Sequence, residues 1–429
     1  MILDRLVAFA ESKQILAIHL LATPFLALQG AVMAMVPVLL RSHFRASEWQ
    51  TTVSTAAIPI MLMLSVLWNE LYRRTSPRAY LWLLWVVAIG PLAGIALCHR
   101  VETVLIFVVL SAAGFGAIAP ITADIMRSCY PPPVRSKVFG ALQAITQSTV
   151  MVAVYAIGVW LDLDSEAYRL YLPAGVLLIG VGMCMLYRIT RHRLFQERLK
   201  HNPTEPFLLS LRNAYGNMAA VLRGDRDFRR YEIAFFIYGL AWMICWALLP
   251  FLVVDKLHLP YTHVARSTQT AYQMALLLAV LPIGYLMDRL GPIRTSGCAF
   301  AILTLYPVGL ILSTGVNSLT LVTIGYGIAM GGVHLAWTIG PVTLAKDASQ
   351  APQYLAIHAT MVGFRAILGQ FPAVALYKLT GDIRIPLAAA VVLFPIGALA
   401  MNRLGRDQRL ARRAVAPAVP LPPDQMEVA

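Results

Sequence analysis

Long apolar segments recur along the chain and are separated by short polar connections. A helix needs about 20 mostly apolar residues to cross the hydrocarbon core of a bilayer, and twelve segments reach that length. They cover residues 15–39, 51–70, 79–98, 103–127, 137–160, 170–189, 231–254, 266–287, 295–314, 317–345, 353–378 and 384–403. Because helices satisfy their backbone hydrogen bonds internally, the pattern predicts an all-α membrane protein with twelve transmembrane helices.

Composition supports this prediction. Apolar residues make up 59% of the 429 residues and charged residues 13%, whereas soluble domains carry about 25% charged residues. An ordinary soluble enzyme is therefore excluded. The five cysteines are scattered singly, so neither a disulfide framework nor a metal site is expected.

One long polar connection divides the chain into two halves of similar length. We predict six-helix bundles at residues 1–189 and 231–404, a connecting segment at 190–230, and a disordered cytoplasmic tail at 405–429. Within the connection, residues 206–223 carry apolar side chains near the helical period, which predicts an amphipathic helix on the membrane surface. The alternative is a flexible basic linker.

The distribution of lysine and arginine predicts the orientation. If both termini lie in the cytoplasm, 26 of the 35 basic residues fall on the cytoplasmic side and eight on the other, with Arg365 inside a span. Cytoplasmic loops of membrane proteins are enriched in Lys and Arg. We therefore expect an integral protein of the plasma membrane, the inner membrane in a bacterium, with both termini cytoplasmic.

A charged turn between spans 8 and 9 is the most distinctive motif. It runs from residue 284 to 294 and contains Gly284, Asp288, Arg289, Gly291 and Arg294. An incomplete counterpart follows span 2, where Glu70 precedes Arg73, Arg74 and Arg78 but both glycines are missing. Two related halves of six spans are typical of one class of secondary transporters.

On these residues, the chain resembles the major facilitator superfamily of twelve-span secondary transporters over residues 15–403. The resemblance implies two bundles that rock about a central site. It also implies that Asp288 contacts the start of span 5, near residues 134–139, when the cytoplasmic side is closed. Glu70, Asp124 and Arg127 would form a corresponding charge network in the first half. The alternatives are a charged turn without a gating role and a plain interfacial ion pair.

Arg365 is the most informative single residue because it lies midway along span 11. A cation at this depth costs about 2.5–3.5 kcal/mol on insertion scales, so it needs a cavity or a partner. It could bind an anionic substrate group or substitute for a transported cation, or it could be a structural residue bonded to carbonyls. His334 and His358 could couple transport to protons or could be packing residues. No Asp or Glu is predicted deep in any span, which argues against a carboxylate proton relay.

Further polar and amphipathic residues are candidates for the substrate site because amides in lipid need partners. The family resemblance implies that spans 1, 4, 7 and 10 line the cavity and that spans 2, 5, 8 and 11 flank it. The candidates besides Arg365 and His334 are Gln29, Gln143, Gln147, Trp242, Gln273 and Trp337.

No motif for ATP, metal, nucleophilic catalysis or a dinucleotide cofactor is present, so neither an enzyme nor a bound cofactor is expected. We predict a monomeric secondary transporter for a small, anionic or amphipathic solute, with a proton as candidate coupling ion and no nucleic-acid partner. The alternative is a transporter-like sensor or assembly factor without transport. Substrate, direction and coupling ion are not specified by the sequence.

Overall fold

The computed structural model describes residues 2–196, 205–347 and 350–415 and contains twelve helices long and apolar enough to span a membrane, as predicted. In the first half of the chain the helical segments are, for span 1, Ile2–Ser42; for span 2, Glu48–Met61, Leu62–Leu64 and Ser65–Arg74; for span 3, Pro77–Leu84, Trp85–Ile89 and Gly90–Ile95; for span 4, Val101–Ala113 and Ile118–Cys129; for span 5, Pro132–Leu163; and for span 6, Tyr168–Thr190. In the second half they are, for span 7, Arg226–Phe251 and Leu252–Lys256; for span 8, Tyr261–Val264, Ala265–Thr270 and Ala271–Leu290; for span 9, Pro292–Leu303 and Leu305–Leu312; for span 10, Val316–Leu344; for span 11, Ala351–Thr380; and for span 12, Arg384–Val415.

Local sequence explains where the helices begin and end. Pro77, Pro132 and Pro292 occupy first-turn positions, where the missing N–H costs nothing and the fixed φ suits a helix. The helix of span 4 ends at Cys129 and that of span 5 begins at Pro132, so the proline run makes the sharp turn that the sequence predicts. Gly291 has φ +78°, a conformation that glycine adopts at little cost.

The helices form two bundles with the same internal packing. In the first bundle, span 1 packs on spans 5 and 6, and span 2 packs on span 4. In the second, span 7 packs on spans 11 and 12, and span 8 packs on span 10. Each bundle has its own hydrophobic core. Between bundles, span 2 faces span 11 and span 5 faces span 8.

The connecting segment contains a helix at Phe207–Gly224, which we call the linker helix. It packs on spans 2, 7 and 11, and the Tyr215 hydroxyl donates a hydrogen bond to the Met63 carbonyl at 3.0 Å. Its placement on the membrane surface stays a prediction. Span 12 continues helically to Val415, past the predicted start of the tail, and residues 416–429 lie outside the described residues.

Because the number of spans is even, the start of span 1 at Lys13 and the end of span 12 at Gln408 lie on the same side of the protein. We call this side the terminal face and the other side the opposite face. The linker helix and the 284–294 turn lie at the terminal face.

Candidate transport site and gate

Arg365 belongs to a buried charge cluster in the second bundle. Glu232 of span 7 accepts from Nδ1 of His358 at 2.6 Å through Oε1, and its Oε2 lies 3.6 Å from Nη2 of Arg365. The three side chains are 0% (His358), 2% (Arg365) and 5% (Glu232) exposed. His358 and Arg365 are seven residues apart on span 11, which places them on one face of the helix.

Aromatic rings and a glycine enclose the cluster. His358 packs against Tyr231, Phe235 and Trp337 at ring-centroid distances of 5.8, 4.7 and 5.3 Å. The Arg365 guanidinium lies 5.8 Å from the Phe235 ring. A Cβ at Gly239 would overlap the Arg365 side chain, so span 7 can pass this close to the arginine only because residue 239 is glycine.

Several polar atoms of the cluster have no hydrogen-bond partner among the described residues. They are Oε2 of Glu232, Nε2 of His358, and Nε and Nη2 of Arg365. Buried polar atoms are normally paired, and an unpaired buried group costs about 1–3 kcal/mol or more when charged. The opposite charges of Glu232 and Arg365 compensate each other, but the unpaired atoms give the cluster unused bonding capacity for a proton or an anion.

The expectation that no carboxylate lies deep in a span is therefore wrong. Span 7 begins at Arg226 rather than at 231, because Asp225 caps the helix by accepting from the Phe228 amide at 3.0 Å. This earlier start puts Glu232 in the second turn of the helix, where it is buried. Asp is a preferred N-cap residue, so the capping pattern of residues 225–228 was a signal that could have located the helix start.

His334 occupies a different environment from His358. Span 10 packs on span 8 through Gly331, and Trp337 reaches His358 of span 11. On a helix with 3.6 residues per turn, His334 falls between these two contact directions. Its side chain is exposed, whereas Ala336 of the same helix is 0% exposed. His334 thus lies on the part of span 10 between its contacts with spans 8 and 11.

The other substrate-site candidates are not gathered around Arg365. Trp337 is the exception, since it packs on His358. Trp242 donates from Nε1 to the Tyr326 hydroxyl at 2.7 Å and packs on Trp246. Gln273 is buried with Oε1 unpaired, and Gln29 has its Nε2 unpaired, among the described residues. Gln143 is exposed and Gln147 half-buried, both on span 5 of the first bundle.

Hydrogen bonds and ion pairs that were not predicted from the sequence join the two bundles at the opposite face, and we call these contacts the gate. Arg41 of span 1 makes a two-pronged ion pair with Asp255 of span 7, with N–O distances of 2.7–3.0 Å. Asp162 at the end of span 5 accepts from the Tyr261 and Thr262 amides, both at 2.8 Å. A carboxylate at a helix N-terminus satisfies free N–H groups and complements the helix dipole, so Asp162 ties span 5 to the start of span 8.

Spans 2 and 11 add contacts on the same side. The Thr55 hydroxyl donates to Oε1 of Gln370 at 2.7 Å, and Lys378 lies 3.9 Å from Glu48. Between described residues, every hydrogen bond and ion pair that joins the bundles falls in the half of the spans nearer the opposite face. The structure is therefore closed at the opposite face by bonded contacts.

At the terminal face, no hydrogen bond or ion pair between described residues joins the two bundles directly. Asp288 is exposed and makes no side-chain hydrogen bond or ion pair within the described ranges. Val134 and Phe139, at its predicted docking site on span 5, are also exposed. In the first half, Glu70 is buried and pairs with Arg73 and Arg74. Asp124 pairs with Arg127 at 3.1 Å, and the expected link of this pair to Glu70 stays a prediction.

The 284–294 turn has the local geometry of a helix connection. Gly284 lies on the face of span 8 toward Leu335 of span 10, and Gly291 supplies the left-handed conformation between spans 8 and 9. Arg289 is exposed and Arg294 half-buried. The gating roles of these residues remain a prediction.

Comparison with known proteins agrees with this architecture. The sequence profile of the Major Facilitator Superfamily matches residues 18–370, and no curated protein matches significantly. Among solved structures, a peptide transporter POT in complex with sulfate is similar with TM-score 0.69 and 14% identity, over 91% of this chain and 95% of that chain.

Two further structures are similar at the same level. The nucleoside transporter NupG has TM-score 0.68 and 11% identity, over 93% of this chain and 99% of that chain. A bacterial homologue of the human lysosomal transporter Spinster, in an inward-facing and unoccupied conformation, has TM-score 0.65 and 12% identity, over 92% and 97%. At these identities the likeness concerns the fold, and the predicted twelve-helix fold is confirmed.

Proposed function

Because the chain belongs to the major facilitator superfamily, we propose that this secondary transporter moves a small solute across the membrane by alternating access. The distribution of contacts between the bundles carries the proposal. Bonds close the opposite face, whereas the predicted partners at the terminal face are exposed and are joined by no hydrogen bond or ion pair between described residues. Such a distribution is what one end state of a rocking two-bundle transporter requires.

We assign the terminal face to the cytoplasm. The excess of lysine and arginine on this face supports the assignment, since basic residues are retained in cytoplasmic loops. The structure then corresponds to an inward-open state, and closure of the cytoplasmic side would bring Asp288 of span 8 to the start of span 5.

The buried cluster is the proposed site of coupling. Protonation of Glu232 removes the negative charge that compensates Arg365, so the guanidinium then needs another anion. An anionic group of the solute meets this need. The neighbouring polar groups are already engaged: His358 is bonded to the Glu232 carboxylate, and the Tyr231 and Tyr238 hydroxyls donate to the Ala336 carbonyl and the Met330 sulfur. One proton and one anionic solute therefore enter the site together, and binding either favours the other.

Trp337 lies one helical turn from His334 on span 10. Its ring is only partly buried and packs on His358, so a change of its side-chain rotamer would expose the charge cluster on the side of span 10 that carries His334. The tryptophan and the histidines also offer surfaces for the apolar part of an amphipathic solute.

Transport by purified protein in liposomes tests the proposal. With an inward proton gradient, a mixture of small organic anions should show selective accumulation of one chemical class, and the accumulation should collapse when a protonophore removes the gradient. A solute that accumulates equally with the gradient removed would contradict proton coupling. The absence of flux for every solute class, from protein with intact helicity, would contradict transport and favour a sensor or assembly factor.

A further inference from the structure

A cavity, distinct from the buried charge cluster, lies at the terminal face of the second bundle. Its volume is about 650 Å³. It is bounded by the start of span 7, the turn between spans 8 and 9, the end of span 10 and the end of span 12. The residues that bear on its chemistry are Asp225, Arg226, Asp227, Gly291, Arg294 and Lys346.

Three cations line this cavity, and one of them, Arg226, also interacts electrostatically with Asp407 at longer range. Arg226, Arg294 and Lys346 make no ion pair within 4.0 Å with any carboxylate in the described part of the chain. The stem of Arg294 lies against Gly405 of span 12, which holds the arginine at the cavity wall. Because all three line one cavity, their like charges repel one another, and an anion among them would relieve that repulsion.

The two carboxylates of the wall are held by other donors. Asp225 is 8% exposed; it caps span 7 and accepts from the Tyr354 hydroxyl at 2.8 Å. Asp227 accepts from Nε2 of Gln408 at 2.8 Å. Because these acids are bonded to protein donors, while the cations are not paired, the cavity favours an incoming anion over an incoming cation.

The start of span 9 adds donors of the right kind. Its helix begins at Pro292 after Gly291, and no side chain caps it. Gly291 has open space where a Cβ would be, so a ligand can approach the backbone closely. Free N–H groups and the positive end of the helix dipole are a common setting for phosphate groups, here beside two arginines that can bind phosphate oxygens in pairs.

We propose that this cavity binds a phosphate-bearing ligand, either a free cytoplasmic phosphate compound or the headgroup of an anionic phospholipid. Arg294 belongs to the 284–294 turn, so an occupant links this turn to the start of span 7 and the end of span 10. Binding would hold the terminal face of the second bundle as one rigid unit. The binding itself does not depend on the proposed transport function.

Ligand-dependent thermal stability of the full-length protein, delipidated in maltoside micelles, tests the proposal. One arm titrates inorganic pyrophosphate against sodium chloride of matched ionic strength. A second arm adds phosphatidylglycerol or, for comparison, phosphatidylcholine. We expect one arm to raise the unfolding temperature saturably. Stabilisation by pyrophosphate would identify a free phosphate compound as the ligand, and selective stabilisation by phosphatidylglycerol would identify the lipid.

The variant Arg294→Gln/Lys346→Gln should lower the affinity for whichever ligand stabilises the wild type by about tenfold or more, since each charged hydrogen bond contributes about 1.5–3 kcal/mol. The control Arg188→Gln/Arg191→Gln removes the same charge from exposed positions on the same face of the first bundle. The proposal is overturned if neither arm stabilises the wild type, or if the control variant weakens binding as much as the cavity variant does.

Discussion

Replacement of Arg365 by methionine should destabilise the protein by about 3–5 kcal/mol and stop gradient-driven accumulation of the solute. Methionine keeps the apolar stem that packs against Gly239 but removes the charge that compensates Glu232. Breaking a buried ion pair by deleting one partner leaves the other charge uncompensated, which explains the expected loss. Thermal or denaturant unfolding measured with a ligand-free sample gives the change in stability.

The double variant Glu232→Gln/Arg365→Met separates a structural role from a transport role. Removing both charges together is often close to neutral for stability, so we expect the double variant to recover most of the lost stability. It should nevertheless fail to accumulate solute, because neither the proton acceptor nor the anion-binding cation remains. If the double variant transports like the wild type, Arg365 and Glu232 are a structural pair and the proposed coupling site is wrong.

The second large effect is expected from Asp162→Asn at the opposite face. Asparagine remains a competent helix cap but lacks the negative charge that favours the start of span 8. Losing the charged contacts with the Tyr261 and Thr262 amides should weaken closure of the opposite face by about 1–2 kcal/mol. The population of the state open to that face would then rise by about five- to thirtyfold.

Thiol labelling of a His334→Cys reporter measures this shift. In a background without the five native cysteines, an impermeant maleimide applied from the opposite face should react faster when Asp162→Asn is present. An Ala336→Cys reporter, buried on the same helix, should stay unreactive. Asp164→Asn is the matched control, because Asp164 is exposed and bonds only to the Glu166 amide in its own loop. Equal labelling rates in the two asparagine variants would contradict the gate.

Apolar segment length was enough to predict the fold. Each span needs only a long run of apolar residues, a property that is local in sequence, and the twelve predicted segments coincide with the observed ones. Boundaries were harder. With the start of span 7 predicted at residue 231, Glu232 was expected at the end of a helix, outside the buried interior. The Asp225 cap shows that the helix begins earlier.

The gate at the opposite face could not be predicted from local patterns. Arg41 and Asp255 are separated by 214 positions, and each stands beside a span end where a charged residue is unremarkable. Their pairing depends on how the two bundles dock. The same limit applies to the substrate-site candidates: polarity singled out Gln143 and Gln273, but only packing decides which side chains contact Arg365.

The 284–294 turn shows the remaining gap between motif and mechanism. Its glycines and charges occur where the family resemblance places them, yet Asp288 is exposed in this structure. An exposed Asp288 agrees with an open terminal face, and its docking on span 5 belongs to the other end state of the proposed cycle.

Alternating access is the central claim, and paired distance measurements test it most directly. Spin labels at positions 137 and 289 report on the terminal face, and labels at 100 and 256 report on the opposite face; all four native side chains are exposed. When Asp162→Asn is introduced, the account predicts that the 137–289 distance shortens while the 100–256 distance lengthens. Distances that stay unchanged, or that both lengthen or both shorten, would contradict it.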